Sequence, residues 1–466
     1  MVILLQITRI CHSGQDMEFD IGQVNRKLVR IATPIAIQGV VSATLSMIDN
    51  IMVGFLGETE LAAVGVGSQL FMVHYMVLFG ILSGSSTFMA QFYGTRDMRN
   101  IRKVIGFDFT LLAGLGAFFF ILTTGITGPI LSIYTEDPAV KELAMQYVRI
   151  NAVSFLLLAV SAPLEMAFKA TQQVKIPMIV SAAVFITNVT VNYVLIFGKF
   201  GAPRLGVAGA AIGTLSARIV EVVLNSYYGF RSSNEFRGSI GSFFGWDPEL
   251  VRRVIKNATP TTINEFFWGF GQSMYVAAFS RISTTAYAAY QAANAIFNIF
   301  NFAAFSIGDA ALILVGEKLG EGDMDYTWKL SKHLIKAIMA VGAVIGVFTI
   351  IISGPLSGVF KLSEEGQMYT KLIIIVFGAT MAVDLYNGLQ IAGILRAGGD
   401  TKFAMIAEMS CVWLIAIPLA FISALVWHLP VHLALLVTRI EMFVRAAIVT
   451  KRYASRKWMN TVITDL

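Results

Sequence analysis

The chain has 466 residues, 56% of them hydrophobic and only 14% charged, with a net charge of +6 and a mean hydropathy of +0.70. Soluble domains carry about 25% charged residues, so a water-exposed globular fold is excluded. The basic surplus is scattered over connections rather than clustered with aromatics, which argues against nucleic acid as a partner.

The apolar start, Met1 to Leu5, is too short for a signal-peptide core, and Met17 is an alternative first residue. Residues 1–30 read as an N-terminal segment on the cytoplasmic side. Runs of about twenty apolar residues, enough to cross a ~30 Å hydrocarbon core, then follow one another. They predict an all-α polytopic membrane protein with twelve spans: 31–55, 61–93, 104–127, 142–168, 177–198, 206–228, 258–280, 286–316, 331–354, 368–395, 403–426 and 432–450. Residues 229–257 are expected to be a linker, and 451–466 a tail.

Thr33 to Asp97 and Thr259 to Asp323 align without a gap at an offset of 226 residues, sharing a TP entry and a G-x-x-D exit. KATQQVK at Lys169–Lys175 faces RAGGDTK at Arg396–Lys402 at an offset of 227. Arg218 and Glu221 echo Arg439 and Glu441. Lys and Arg concentrate in the even-numbered connections, which by the positive-inside rule puts both termini in the cytoplasm. An even number of spans separates the copies, so the repeat is parallel: residues 31–228 form one six-helix lobe and 258–450 the other, around a central cleft.

A carboxylate at mid-membrane costs roughly 2.5–3.5 kcal/mol and is a functional hypothesis by default. Glu265, Asp384 and Asp49 face Gly39, Leu157 and Tyr275 in the other copy, so each charge is confined to one half. Counted at ~1.5 Å per residue, Glu265 lies about 13 Å past Lys256 and Asp384 about 18 Å before Arg396. That places the two acids at nearly one depth, able to share a proton or a Na⁺ ion. Asp49, Asn188, Asn192 and Thr214 form a second oxygen-rich set toward the outer side. Asp309, opposite Ser83, is a further acid that could line the cavity.

His74 is expected to be packed rather than a proton carrier, Cys411 to be core, and Glu165 with Lys169 to be a local i,i+4 ion pair. With Cys11, Cys411 makes no disulfide framework or thiolate metal site. No G-x-x-x-x-G-K-[ST] is present for direct ATP use and no H-E-x-x-H for a metalloenzyme. The chain is read as no enzyme and as needing no cofactor beyond a coupling ion.

SMIDNIMVGFLG with ELAAVG, NVTVNYVLIFGKFG with GVAGAAIGT, and MAVDLYNGLQIAGILRAGGDTK together resemble the multidrug and toxic compound extrusion (MATE) family over Lys27 to Arg452. The resemblance implies two six-helix bundles, alternating access and antiport of small, mostly cationic amphiphiles against Na⁺ or H⁺ in the plasma membrane, among lipids and as a monomer. It also implies coupling roles for Asp49, Glu265 and Asp384, as in the NorM branch, and a first-half site at Asn188, Asn192 and Thr214, as in the DinF branch. That branch tends to have Asp where this chain has Asn192, and a Tyr expected before the tenth-helix acid is Thr380, which leaves the ion open. A flippase of lipid-linked saccharides is the alternative, and would want a cleft lined by Arg and Lys for pyrophosphate.

Overall fold

A computed structural model describes residues 19–231, 234–359 and 362–464. Met1, Cys11 and Met17 lie outside them. Among the described residues the chain is all-helical, running as twelve rods. These are α1 (Ile21–Gly54), α2 (Glu58–Gly94), α3 (Met98–Gly125), α4 (Pro138–Asn151 and Val153–Ala170), α5 (Lys175–Phe197) and α6 (Val207–Phe230). The second set is α7 (Pro248–Phe279), α8 (Thr284–Gly320), α9 (Met324–Ile351), α10 (Glu364–Leu395), α11 (Thr401–Leu425) and α12 (Val431–Thr438 and Ile440–Ala454). Nine of the helices, among the described residues, are long and apolar enough to cross a membrane.

The repeat is visible in the helix boundaries. Glu58 and Thr284, Met98 and Met324, Pro138 and Glu364, and Lys175 and Thr401 open corresponding helices, each pair 226 residues apart. Short helices at Thr127–Leu131 and Ser353–Ser357 keep the same spacing. The G-x-x-D exits have a local cause: Asp97 caps α3 by accepting from the Asn100 N–H at 3.0 Å, and Asp323 caps α9 through the Tyr326 N–H at 3.0 Å. Each carboxylate satisfies a backbone donor that the first helical turn leaves open. The slip to an offset of 227 falls across Leu389–Leu395, which winds as π-helix, whereas the first half stays α-helical from Val153 to Ala170. A π turn takes up one residue more than an α turn.

The chain forms two compact units. One holds residues 37–258, the other 259–464 together with residues up to Ala36. The boundaries therefore fall inside α1 and α7, close to Pro34 and Pro260. The start of α1 is tied into the second unit by Lys27, 2.6 Å from Glu317, and by Asn25, 2.6 Å from His333. Asp20 caps it, and the N–H groups of Gln23 and Gly22 hold that carboxyl below the usual range. The start of α7 is buried in the first unit, where Asn257 donates to the Gly84 carbonyl at 2.8 Å.

Within each unit the rods approach closely through glycine. A Cβ at Gly346 on α9 would collide with the Gly378 carbonyl oxygen on α10. A Cβ at Gly209 on α6 would meet the Leu195 carbonyl carbon of α5 at 2.7 Å. Small residues at such crossings let backbones touch where lipid offers no hydrophobic drive between helices.

Loss of an N-cap costs about 1 kcal/mol. Asp97→Ala and Asp323→Ala are each expected to lower the stability of the purified protein by about that much, and together by about twice as much, since distant sites add. Thermal unfolding in detergent measures this; two single variants with wild-type melting would refute the capping role.

Candidate functional site

In the first unit the structure brings together three of the four residues of the outer set. Asn192 Nδ2 donates to Asp49 Oδ1 at 2.7 Å and to Asn188 Oδ1 at 2.8 Å. Asn188 and Asn192 sit one turn apart on α5, so the i,i+4 spacing stacks them on one face. Both are buried, while Asp49 on α1 is half-buried. The Asn192 Oδ1 has no hydrogen-bond partner among the described residues. A Cβ at Gly213 on α6 would overlap it, so the glycine makes the room that this amide occupies. Thr214, the fourth residue, instead returns its hydroxyl to the Ala210 carbonyl at 3.1 Å. It connects to the set through Tyr147, which lies beside Asp49, Ser68 and Thr214.

In the second unit Glu265 Oε1 receives Arg396 Nη2 at 2.9 Å, and the arginine is only 3% exposed. Arg396, read from the sequence as a connection residue marking the membrane edge, is therefore a buried member of the site. The Arg396 guanidinium reaches Glu265, and Asp384 lies twelve residues before Arg396 on α10. Glu265, which the sequence pairs with Asp384 over one Na⁺ ion, has a cationic partner of its own in Arg396. Among the described residues no cluster of three His, Cys, Asp or Glu is arranged to hold a metal ion.

Asp384 is half-buried and makes no hydrogen bond among the described residues. It acts electrostatically on Arg445 and Glu441 of α12. Arg445 bridges Glu408 of α11 at 2.7 Å and Glu441 at 3.3 Å, and Asn264, next to Glu265, donates to Glu408 at 2.8 Å. Glu265 also interacts with Glu408 and with Asp309 of α8. Five acids thus share this interior with Arg396, Arg445 and Arg439, the last lying over the rings of Phe377 and Phe297 at 4.8 and 5.9 Å.

The sequence reading missed Glu408, Arg445 and the burial of Arg396. The signal was available, since Glu408 and Arg445 both fall inside expected spans. The supposed twin pairs also differ: Arg218 pairs with Glu221 on α6, whereas on α12 Glu441 pairs with Arg445 and not with Arg439. The other readings match the structure. Glu165 and Lys169 pair at 2.8 Å, Cys411 is buried, and His74 is enclosed by Phe119 and Phe155 at ring distances of 5.1 and 4.8 Å.

The family model described as MatE matches residues 34–194 and again 260–422. The chain belongs to the MatE family. The two matches start 226 residues apart and finish 228 apart. Relatives include the multidrug resistance protein MdtK of Edwardsiella ictaluri, 26% identical over 407 residues, covering 86% of this chain and 88% of the relative. The probable multidrug resistance protein NorM of Thermotoga maritima is 22% identical and covers 95% of both chains. The fold matches an outward-facing multidrug resistance MATE family transporter of the MOP superfamily with a TM-score of 0.84 at 16% identity, over 92% of this chain and 96% of that one. A point mutant of the Vibrio cholerae MATE transporter VcmN gives 0.83 at 15% identity, over 94% and 99%. This MatE-family chain is a multi-pass membrane protein with the transporter fold.

Removing one partner of a buried ion pair costs about 3–5 kcal/mol because the other charge is stranded. Arg396→Gln is expected to destabilise the protein by an amount in that range, and adding Glu265→Gln should recover most of it. Thermal unfolding of the two single variants and the double variant reads the coupling. A double variant as unstable as Arg396→Gln would rule out the pair as the cause.

Proposed function

We propose that the chain is a secondary active multidrug exporter that exchanges small organic cations for Na⁺ or H⁺ by alternating access, with both termini in the cytoplasm. The observation that carries this reading is the charge imbalance inside the second unit. Five acids, Glu265, Asp309, Asp384, Glu408 and Glu441, gather among the described residues with Arg396, Arg439 and Arg445. An excess of carboxylates over guanidinium groups in low dielectric favours uptake of a proton, a hard cation or a cationic ligand.

A coupling ion that fills this deficit removes the counter-charge an organic cation needs, so the two compete, and competition is the core of antiport. One elementary charge moving down 100 mV supplies about 2.3 kcal/mol, before any concentration gradient. The names of the MdtK and NorM relatives, as multidrug resistance proteins, support the same substrate class. Asp384, which has no ion-pair or hydrogen-bond partner among the described residues, is the acid best placed to exchange ligands. Glu265, gripped by Arg396, releases or takes up charge only with that pair. In the first unit Asp49 with Asn188 and Asn192 offers a second oxygen-rich position. The arginines of the second unit are engaged by carboxylates and rings, which does not favour a pyrophosphate-binding flippase.

The test is uptake of a fluorescent organic cation into proteoliposomes under separately imposed Na⁺ and pH gradients. One gradient should drive transport by the wild type, and Asp384→Asn should reduce the gradient-driven component by about tenfold, equivalent to about 1.4 kcal/mol. A wild type that moves no organic cation under either gradient would refute multidrug antiport; an Asp384→Asn variant as well driven as wild type would remove that residue from the coupling site.

A further inference from the structure

The segment after α12, expected from the sequence to be a tail, is packed into the second unit. Trp458 is fully buried. Its ring stacks on Tyr453 at 5.7 Å, Tyr453 stacks on Trp328 of α9 at 4.7 Å, and the Tyr453 hydroxyl lies 2.8 Å from Ser331 Oγ. Thr461 donates to the Leu319 carbonyl of α8 at 3.1 Å. The Trp458 backbone presses on the α10–α11 turn so closely that a Cβ at Gly398 would collide with its carbonyl oxygen. Arg452 grips the same turn from the other side, donating from Nε and Nη2 to the two oxygens of Asp400 at 2.6 and 2.9 Å.

That turn carries Arg396. The Asp400 N–H donates to the Leu395 carbonyl and the Gly399 N–H to the Arg396 carbonyl, both at 3.0 Å, with Gly399 in the left-handed region at φ +71°. This is the closed helix ending in which both bonds lock the last turn. Asp400, fixed by Arg452, is thus hydrogen-bonded back to the residue beside Arg396, whose guanidinium reaches Glu265.

The first unit contains the same device. Gln173 donates to the Phe168 carbonyl at 2.7 Å and Gln172 to the Lys169 carbonyl at 3.0 Å, with Gln172 at φ +61°. Phe236, from the segment after α6, is fully buried and packs on Phe168 at 5.3 Å. What differs is the reach of the cation on the turn. Lys169 pairs with Glu165 on its own helix, whereas Arg396 crosses to Glu265 on another.

We infer that the segment Ser455–Thr464 is a positioning strap for the ion-coupling site, with Trp458, Arg452 and Asp400 holding the turn from which Arg396 engages Glu265. The inference rests on the proposed cation coupling in the second unit. Without the strap the turn gains freedom, Arg396 samples other rotamers, and the site loses pre-organisation toward its ion.

The experiment measures organic-cation transport in proteoliposomes as a function of coupling-ion concentration for wild type, Trp458→Ala, Gly398→Ala and Trp458→Phe. The two alanine variants should raise the half-saturating ion concentration by about fivefold, equivalent to about 1 kcal/mol, while the rate at saturating ion is kept. Trp458→Phe, which preserves an aromatic plug, should return most of the shift. Wild-type ion dependence in both alanine variants overturns the strap. Where Trp458→Ala does not yield folded protein, Arg452→Lys, which keeps the charge but loses the bidentate fork, makes the same test. Hydrogen exchange gives a readout free of any coupling. Amides 395–400 should exchange faster in Trp458→Ala than in wild type, and unchanged protection there also overturns the strap. A wild type with no ion dependence defeats the coupling reading, and the exchange result then decides whether the strap holds the turn.

Discussion

A charge taken into a low-dielectric interior must find a partner, and most of the second unit's interior is arranged by that requirement. Arg396 and Arg445 each enter a carboxylate-rich space and each is held by hydrogen-bonded acids, at 2.9 Å to Glu265 and 2.7 Å to Glu408. The desolvation cost of either ion is several kcal/mol, so these pairs contribute little net stability, yet breaking one is costly. The arrangement therefore fixes geometry more than it adds stability. It sets α7 against α10, and α11 against α12, and leaves Asp384 without a hydrogen-bond or ion-pair partner among the described residues. A site that must bind and release a cation needs such an unfilled acid; a fully paired network would have nothing to exchange.

The first unit solves a related problem with neutral groups. Asn192 donates both of its hydrogen bonds into the oxygens of Asp49 and Asn188, and Gly213 provides the space in which it does so. Amide donors offset part of the desolvation cost of a buried carboxylate, but less of it than a guanidinium does. The two units, built on one repeated helix pattern, thus hold their acids by different chemistry, and ligands entering the two environments meet different competitors. In the first unit, Arg218 is spoken for by Glu221 and Lys169 by Glu165, which leaves Asp49 to its amide neighbours.

Much of this could be read from residues alone. The repeat announced itself through Thr33 and Pro34 matching Thr259 and Pro260, and the G-x-x-D exits are caps whose chemistry is local. The Asp49, Asn188 and Asn192 grouping followed from i,i+4 spacing and a depth count along regular helices. The same count did not show that Arg396, the zero point for Asp384, is itself buried against Glu265. A basic residue near the end of an apolar run ordinarily marks the interface, but an arginine that meets a carboxylate can remain buried. No one-dimensional measure distinguishes these cases without knowing which acid lies across the bundle. Glu408 and Arg445 were missed for the same reason, since their significance lies in each other. The π-helical turn at Leu389–Leu395 left one trace in the sequence, the slip from 226 to 227, and that trace has a structural meaning only once the winding is known.

The segments after α6 and α12 show why polar composition is a poor guide to disorder at the end of a helical bundle. Both are largely polar, and both place one large aromatic residue, Phe236 or Trp458, in a fully buried position. Burying one such ring removes roughly 150–250 Å² from water, enough to help order a short chain. The consequence reaches the interior because each aromatic seats on a closed turn, and a closed turn transmits position rigidly to its last helical residue. In the second unit that residue is Arg396. An element at the edge of the fold thereby has a direct mechanical connection, through two hydrogen bonds and one ion pair, to Glu265 in the interior of the second unit.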